Sequence, residues 1–273
     1  AQATWIEPNA LCKGLAPCAR TYCWEDLWIA AKQNAMLGCP RRRQDAQPGS
    51  TRPGPRQVLY MRGEEEAVEI PVSGTWVNAR VFAQPSPVVV IALHPWGPLG
   101  GCMDDPHVKE ICRTFGKAGC STASFNFRSG LGSGASSVED TVAVASWFVE
   151  PHDGEEPLAR QVLIAGYSYG SVIGAAAAAE IPQCIGYAVF GPPLDCAGPL
   201  YFFNAPKLKK RAAESAGRPK LLVVGTKDEF CRQVSFTAFA AGLPEPKKVL
   251  VLPGVSHFTL SEALGRALGE WVP

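Results

Sequence analysis

Gly166-Tyr167-Ser168-Tyr169-Gly170 places a serine hydroxyl between two glycines, each two residues away. An apolar run, Val162-Leu163-Ile164-Ala165, precedes it, and an alanine-rich stretch from Ser171 to Glu180 follows. A serine on a sharp strand-to-helix turn reads as a nucleophile elbow. Side chains at Gly166 and Gly170 would strike the neighbouring strand or helix, and the strained turn pushes the Ser168 hydroxyl out over the sheet edge. A hydroxyl is a poor nucleophile near neutral pH, so it needs a base within hydrogen-bond reach. His257 is the candidate base, and Asp228 the candidate partner that fixes its tautomer and stabilises the imidazolium. The developing oxyanion needs two N–H donors. The backbone of Tyr169, directly after the serine, is one candidate. Trp96 in the loop after an earlier strand is the other, since Pro95 has no N–H to give. Tyr167 and His94 complete the candidate set as pocket and supporting residues.

These residues become a site only if the fold brings them together. Ala67 to Val72 and Trp76 to Ala83 flank Ser73-Gly74-Thr75, which predicts a hairpin. Pro87 to Leu93 is a continuous apolar run suited to a strand buried on both faces of a parallel sheet. From there strands and helices alternate. Val108 to Gly119 is a helix, Ser121 to Phe127 a strand, Val138 to Phe148 a helix, and Val162 to Tyr167 the strand before the elbow. Cys184 to Phe190 and Leu221 to Gly225 are strands, Phe230 to Gly242 a helix, Lys248 to Leu252 a strand, and Leu260 to Trp271 the last helix. An antiparallel start followed by repeated strand–helix units predicts an α/β fold, with a mostly parallel sheet and helices on both faces. Reactive residues in such sheets collect beyond the carboxyl ends of strands. Ser168, Asp228 and His257 each follow a predicted strand.

Plainer roles compete at each position. Asp228 could cap the helix that begins near Phe230, Glu229 could be the acid in its place, and His257 could lie on the surface. His107 and His152 sit in Pro-containing polar loops and are expected to be solvated. Asp104-Asp105 suits a helix cap better than a metal site. Gly130-Leu131-Gly132-Ser133-Gly134 only faintly echoes a dinucleotide loop, because Ala135 replaces the third glycine.

The chain has 273 residues and a formal net charge of +1, a balance that points away from nucleic acid and anionic membrane as partners. No apolar run is long enough to span a bilayer. Residues 58–273 form the predicted catalytic domain, and residues 1–57 an N-terminal extension or linker. The extension ends in a Pro-, Gly- and Arg-rich stretch headed by Arg41-Arg42-Arg43, read as a solvated charge run. Trp24 to Leu37 has the spacing of a short amphipathic helix. No secretory signal is visible at the amino end, although the missing initiator Met leaves room for an upstream segment. Of ten cysteines, Cys102, Cys112, Cys120, Cys184, Cys196 and Cys231 fall in the domain, mostly beside apolar residues. They are read as free thiols of a reducing compartment, the cytoplasm or an organelle interior. Cys12, Cys18, Cys23 and Cys39 contain no C-x₂-C knuckle, so no zinc site is expected there.

Two further segments carry a resemblance. His94-Pro95-Trp96-Gly97-Pro98-Leu99-Gly100-Gly101 and Asn126-Phe127-Arg128-Ser129-Gly130-Leu131-Gly132-Ser133 resemble loops of small serine hydrolases of the α/β-hydrolase superfamily. The Ser…Asp…His chain order is also that of this superfamily. The likeness covers roughly residues 67 to 271. One residue is inserted in the second loop, and Trp96 stands where many relatives have a second histidine. The resemblance implies a hydrolase with little or no lid, working through Ser168, His257 and Asp228. The stretch from Gly191 to Pro219 is too short for a large helical lid and holds Tyr201-Phe202-Phe203 as candidates for one wall, so the site is expected to take carboxylic esters of short or medium acyl chains. No cofactor or metal is expected, because the triad supplies nucleophile, base and charge stabilisation itself. Peptide, amide or thioester hydrolysis is the alternative within enzymes. A non-catalytic binding protein on the same fold is the alternative outside them.

Overall fold

The computed structural model describes residues 4–5, 64–128, 133–152, 154–196, 205–215 and 217–269. The expected helix at Trp24–Leu37, the arginine triplet, the four amino-terminal cysteines, Ser129 to Gly132 and Tyr201-Phe202-Phe203 fall outside these residues.

The strands are β1 (Thr4–Trp5), β2 (Glu65–Val72), β3 (Thr75–Phe82), β4 (Val88–Leu93), β5 (Ser121–Phe125), β6 (Gln161–Tyr167), β7 (Cys184–Phe190), β8 (Lys220–Lys227) and β9 (Lys247–Ser256). The helices are α1 (Pro106–Lys117), α2 (Ala135–Val149), α3 (Tyr169–Ala177), α4 (Ala205–Ala213), α5 (Gln233–Ala241) and α6 (Ser261–Gly269). The strands form one sheet in the order β1-β9-β8-β7-β6-β4-β5-β3-β2. Strands β4 to β9 are mutually parallel, while β2, β3 and the two-residue β1 run antiparallel to their neighbours.

The predicted hairpin forms with Val72 opposite Thr75. Its two-residue turn is left-handed, with φ 46° at Ser73 and 77° at Gly74. This is the turn whose twist matches that of paired strands. Strand β4 is buried at Val89 to Leu93, as its unbroken apolar run requires. One apolar layer holds α1 and α6 against the sheet through Val108, Ile111, Phe115, Leu260, Leu264 and Leu268. The opposite layer buries residues from α2 to α5, including Val144, Ile173, Leu208 and Phe236.

Several element ends differ from the sequence expectation for local reasons. Helix α1 begins at Pro106, because Asp105 caps it by accepting from the His107 N–H at 2.8 Å. Strand β5 stops at Phe125: the Asn126 N–H still donates to Asn78 O of β3 at 3.1 Å, while its side chain and the Phe127 N–H bond the loop after β4. Strands β8 and β9 run to Lys227 and Ser256, beyond the apolar residues that predicted them, because they pair with each other as far as Lys227 and Ser256.

Strand β4 pairs with β5 on one side and β6 on the other, so the order of winding reverses at β4. Crevices for ligands open at such a reversal. Leu93 of β4 pairs with Gly166 of β6, which sets the loop after β4 beside the elbow.

The segment after β5 is held down by an ion pair. Fully buried Asp140 of α2 accepts from the Arg128 backbone N–H at 2.9 Å and from its Nε at 2.5 Å. Burial pushes the Asp140 carboxyl above the usual carboxylate range, against the pull of Arg128. Removing one partner leaves the other uncompensated. Arg128→Ala is expected to destabilise the fold by about 3–5 kcal/mol. Urea denaturation checks this, and a loss below about 1 kcal/mol would show that the pair does not hold the segment.

Candidate active site

Ser168 stands alone between β6 and α3. It has φ 53° and ψ −122°, a left-handed conformation that is strained for a residue with a Cβ. The turn is possible because its glycines let backbones touch. A Cβ on Gly166 would lie 2.3 Å from the Gly170 carbonyl oxygen. A Cβ on Gly170 would lie 2.6 Å from the His94 carbonyl oxygen and 2.7 Å from that of Leu93. The Ser168 N–H donates to Phe190 O at 2.9 Å, and the Ser171 hydroxyl donates to Ser168 O at 2.6 Å. The turn is thus bound to the next strand and to its own helix.

His257 follows β9 directly, and Asp228 follows β8 directly. His257 Nε2 lies 3.1 Å from Ser168 Oγ, and Nδ1 lies 2.9 Å from Asp228 Oδ2. An ionised carboxylate can only accept, so Nδ1 carries the proton and Nε2 is left to accept from the serine. Both His257 and the Asp228 side chain are buried. The imidazole is boxed by Tyr167, Phe230 and Phe258, with ring centroids 4.9, 4.7 and 5.6 Å away.

Asp228 does not cap the next helix, which begins at Gln233 with Arg232 at its N-cap; its Oδ1 instead accepts from the Phe230 N–H at 2.9 Å in the turn after β8. One oxygen shapes the turn and the other holds the imidazole. Glu229, the alternative acid, instead accepts from the His257 backbone N–H at 2.9 Å. Tyr169 opens α3 directly after the serine, and its hydroxyl lies 2.9 Å from Ser137 Oγ. Trp96 is buried in the loop after β4, and its carbonyl accepts from Leu99 N and Gly101 N, both at 3.1 Å. Gly101 is enclosed as well, since a Cβ there would lie 2.2 Å from Pro95 O.

His94 ties the two motif loops together. The Phe127 N–H donates to His94 Nε2 at 3.1 Å, so Nδ1 carries the proton and donates to Pro95 O at 2.5 Å. Asn126 Oδ1 accepts from Met103 N at 2.9 Å and makes a second tie.

Two expectations are corrected. His107 is buried, not solvated: it stacks on Tyr167 at 3.7 Å and 8°, with Nδ1 2.9 Å from Asp105 Oδ1. His152 is partly buried, in a bridge to Glu155, with its Nε2 enclosed. The reading of six free thiols also fails at one position. Cys102 is disulfide-bonded, whereas Cys112, Cys120, Cys184, Cys196 and Cys231 are free.

Gly191 escaped the sequence reading. It follows β7 with φ 53°, and a Cβ there would lie 3.1 Å from His257 Nδ1 and 3.2 Å from Asp228 Oδ2. The available signal was a glycine before Pro192-Pro193 at the end of a strand. Asp195 also escaped. It accepts from Arg232 N at 2.6 Å and Ser235 Oγ at 2.7 Å, joining the turn after β7 to the segment after Asp228.

No helix among the described residues is long and apolar enough to cross a membrane. No protein-family model and no curated protein matches this chain. Solved structures do. An α/β serine hydrolase homologue from Coxiella burnetii is 24% identical, with a TM-score of 0.63 over 76% of this chain and 97% of that one. A lidless α/β serine hydrolase from Xanthomonas campestris is 23% identical, with a TM-score of 0.60 over 77% and 96%. An esterase from Pyrococcus furiosus is 16% identical, with a TM-score of 0.63 over 83% and 100%.

Burial lowers the His94 pKa from 6.5 to about 4. Between those values the unfolded chain binds a proton that the native state does not. Stability therefore rises with pH across the window and is lost as pH falls through it. The loss amounts to about 3 kcal/mol by pH 4. His94→Gln is expected to remove this contribution. Urea denaturation of both proteins from pH 4 to 7 checks it, and parallel curves would exclude His94 as the source.

Proposed function

We propose that this chain, which has the α/β-hydrolase fold, is a serine hydrolase that cleaves carboxylic esters of short or medium acyl chains. The observation that carries the reading is the continuous contact from the strained Ser168 through His257 to Asp228, with bonds of 3.1 and 2.9 Å. The strained φ supports it independently, since a merely structural serine has no need of that backbone. The names of the similar structures, serine hydrolase and esterase, point to the same chemistry.

In this mechanism Ser168 Oγ bonds to the acyl carbon while its proton passes to His257 Nε2. The carbonyl electron pair moves onto oxygen, which the N–H groups of Tyr169 and Trp96 receive. Asp228 stabilises the imidazolium across Nδ1. The tetrahedral centre collapses and expels the alkoxide, which takes the proton from His257 and leaves as alcohol. Water then attacks the acyl-enzyme by the same route, His257 taking its proton, and the acid is released with Ser168 restored. The preference for modest acyl length rests on the length of the segment between β7 and β8, residues 191–219, too short for a large helical lid. Its described residues hold a 3₁₀ turn at Leu194–Cys196 and the nine-residue α4.

Ser168→Ala is expected to lower turnover of p-nitrophenyl butyrate by roughly three orders of magnitude or more, with the thermal midpoint little changed. A variant retaining more than about a tenth of the activity would exclude Ser168 as nucleophile. The wild-type chain is expected to take a fluorophosphonate adduct on Ser168, mapped by peptide mass. A folded sample with neither adduct nor turnover would favour a non-catalytic binding protein. Adduct without ester turnover would point to amides or thioesters.

Gly191→Ala tests the enclosure of the His257–Asp228 pair. Its Cβ would press on both groups in a backbone region that alanine disfavours. A loss of ester turnover of about tenfold or more is expected, as for a small displacement of a catalytic base. Activity equal to wild type would mean that the loop moves aside without cost.

A further inference from the structure

The imidazole of His257 is held by Asp228 and Ser168. Its peptide group is held by the residues adjacent to them in the chain. Glu229 Oε2 accepts from the His257 N–H at 2.9 Å, and the Tyr167 hydroxyl donates to the His257 carbonyl oxygen at 3.0 Å. Both bonds cross between elements. Glu229 follows β8 beside Asp228, and Tyr167 ends β6 beside Ser168. His257 itself lies on the turn between β9 and α6, where no strand partner holds it. A buried N–H and C=O must be satisfied from somewhere, and here two side chains do it.

We propose that Glu229 and Tyr167 are positioning residues that yoke the His257 backbone to the elements carrying the acid and the nucleophile. The proposal rests on the serine-hydrolase reading above. When β6 or β8 shifts, the peptide and the ring of His257 shift with it, so the Ser168–His257–Asp228 distances are kept together. Tyr167 is itself held on its other side by His107, stacked at 3.7 Å and fixed by Asp105 at 2.9 Å. The four residues Asp105, His107, Tyr167 and Glu229 thus form a support behind the imidazole, none of them needing to touch substrate. Glu229 does so through an acceptor oxygen, not through its charge. That separates this role from that of the alternative triad acid.

The test uses the full chain and two readouts: kcat and KM on p-nitrophenyl butyrate, and the rate of fluorophosphonate labelling at Ser168. Glu229→Ala is expected to lower kcat and the labelling rate together by about 10- to 100-fold, with KM within about threefold, the size associated with a displaced catalytic group. Glu229→Gln keeps an acceptor oxygen and is expected to stay within about threefold of wild type. Tyr167→Phe keeps the ring stack and loses the hydroxyl. It is expected to lower both rates by about 3- to 10-fold. Labelling of Glu229→Ala at the wild-type rate would overturn the proposal. So would Glu229→Gln falling as far as Glu229→Ala, because the charge would then be the active property, or a rise in KM with kcat unchanged. If Glu229→Ala gives no cooperative melt, Tyr167→Phe decides, and undiminished labelling overturns the proposal. Wild-type chain that takes no adduct on Ser168 would instead defeat the serine-hydrolase reading itself, before any variant is compared.

Discussion

The contact on which the rest depends is the approach of three backbones at the elbow. Gly166 faces Gly170 across the turn, and Gly170 faces Leu93 and His94 of the adjoining strand end at distances no side chain could share. That closeness permits the turn between β6 and α3 to hold Ser168 at φ 53°. It also seats the helix start against the loop after β4. The strain at one residue persists because bonds to Phe190 and Ser171 over-determine it. The parallel sheet then supplies the partners, because β8 and β9 end on the same edge and set down Asp228 and His257 there.

Around that turn the polar groups are arranged so that few buried donors or acceptors lack a partner. His94 and Asn126 cross-link the loop after β4 to the one after β5, and Arg128 anchors the latter to buried Asp140. Asp195 joins the end of β7 to the segment after Asp228. Each link runs from a side chain near one strand end to a group on another element, and most of them end on backbone. Loops at the end of a parallel sheet have no ladder of their own, and these bonds take its place. The same logic extends to His257, whose peptide is bonded by Glu229 and Tyr167.

Buried histidines show how environment, not residue type, decides behaviour. His257 faces a carboxylate and a hydroxyl. His94 is enclosed with only a peptide donor and acceptor, and its pKa falls to about 4. His107 is pressed flat on Tyr167 beside Asp105. Cysteine shows the same division. Burial pushes the Cys112 thiol up to about 12, and those of Cys184 and Cys196 to about 11, as expected of small apolar fillers. Cys102, in the motif loop, is disulfide-bonded.

By itself the sequence determined what depends on local pattern. The apolar runs at Val88–Leu93 and Leu221–Gly225 are strands because nothing else buries such runs on both sides. Ser73-Gly74 is a turn because of its backbone preference. Ser168 is marked by glycines whose only use is close approach. The placement of Asp228 and His257 after strands was equally legible. Only the tertiary structure decided roles that depend on partners distant in the chain. Nothing in Phe190-Gly191-Pro192 states that Gly191 borders an imidazole, or in Asp228-Glu229 which carboxylate faces the ring and which the peptide. The register of β8 against β9 settles that choice. It sets Lys227 opposite Ser256 and so brings the following residues together. His107 reads as a loop residue in sequence and is buried because the capped start of α1 lays it against Tyr167. Periodicity and turn chemistry act over a few residues, whereas burial and hydrogen bonding at this site join groups up to 90 residues apart.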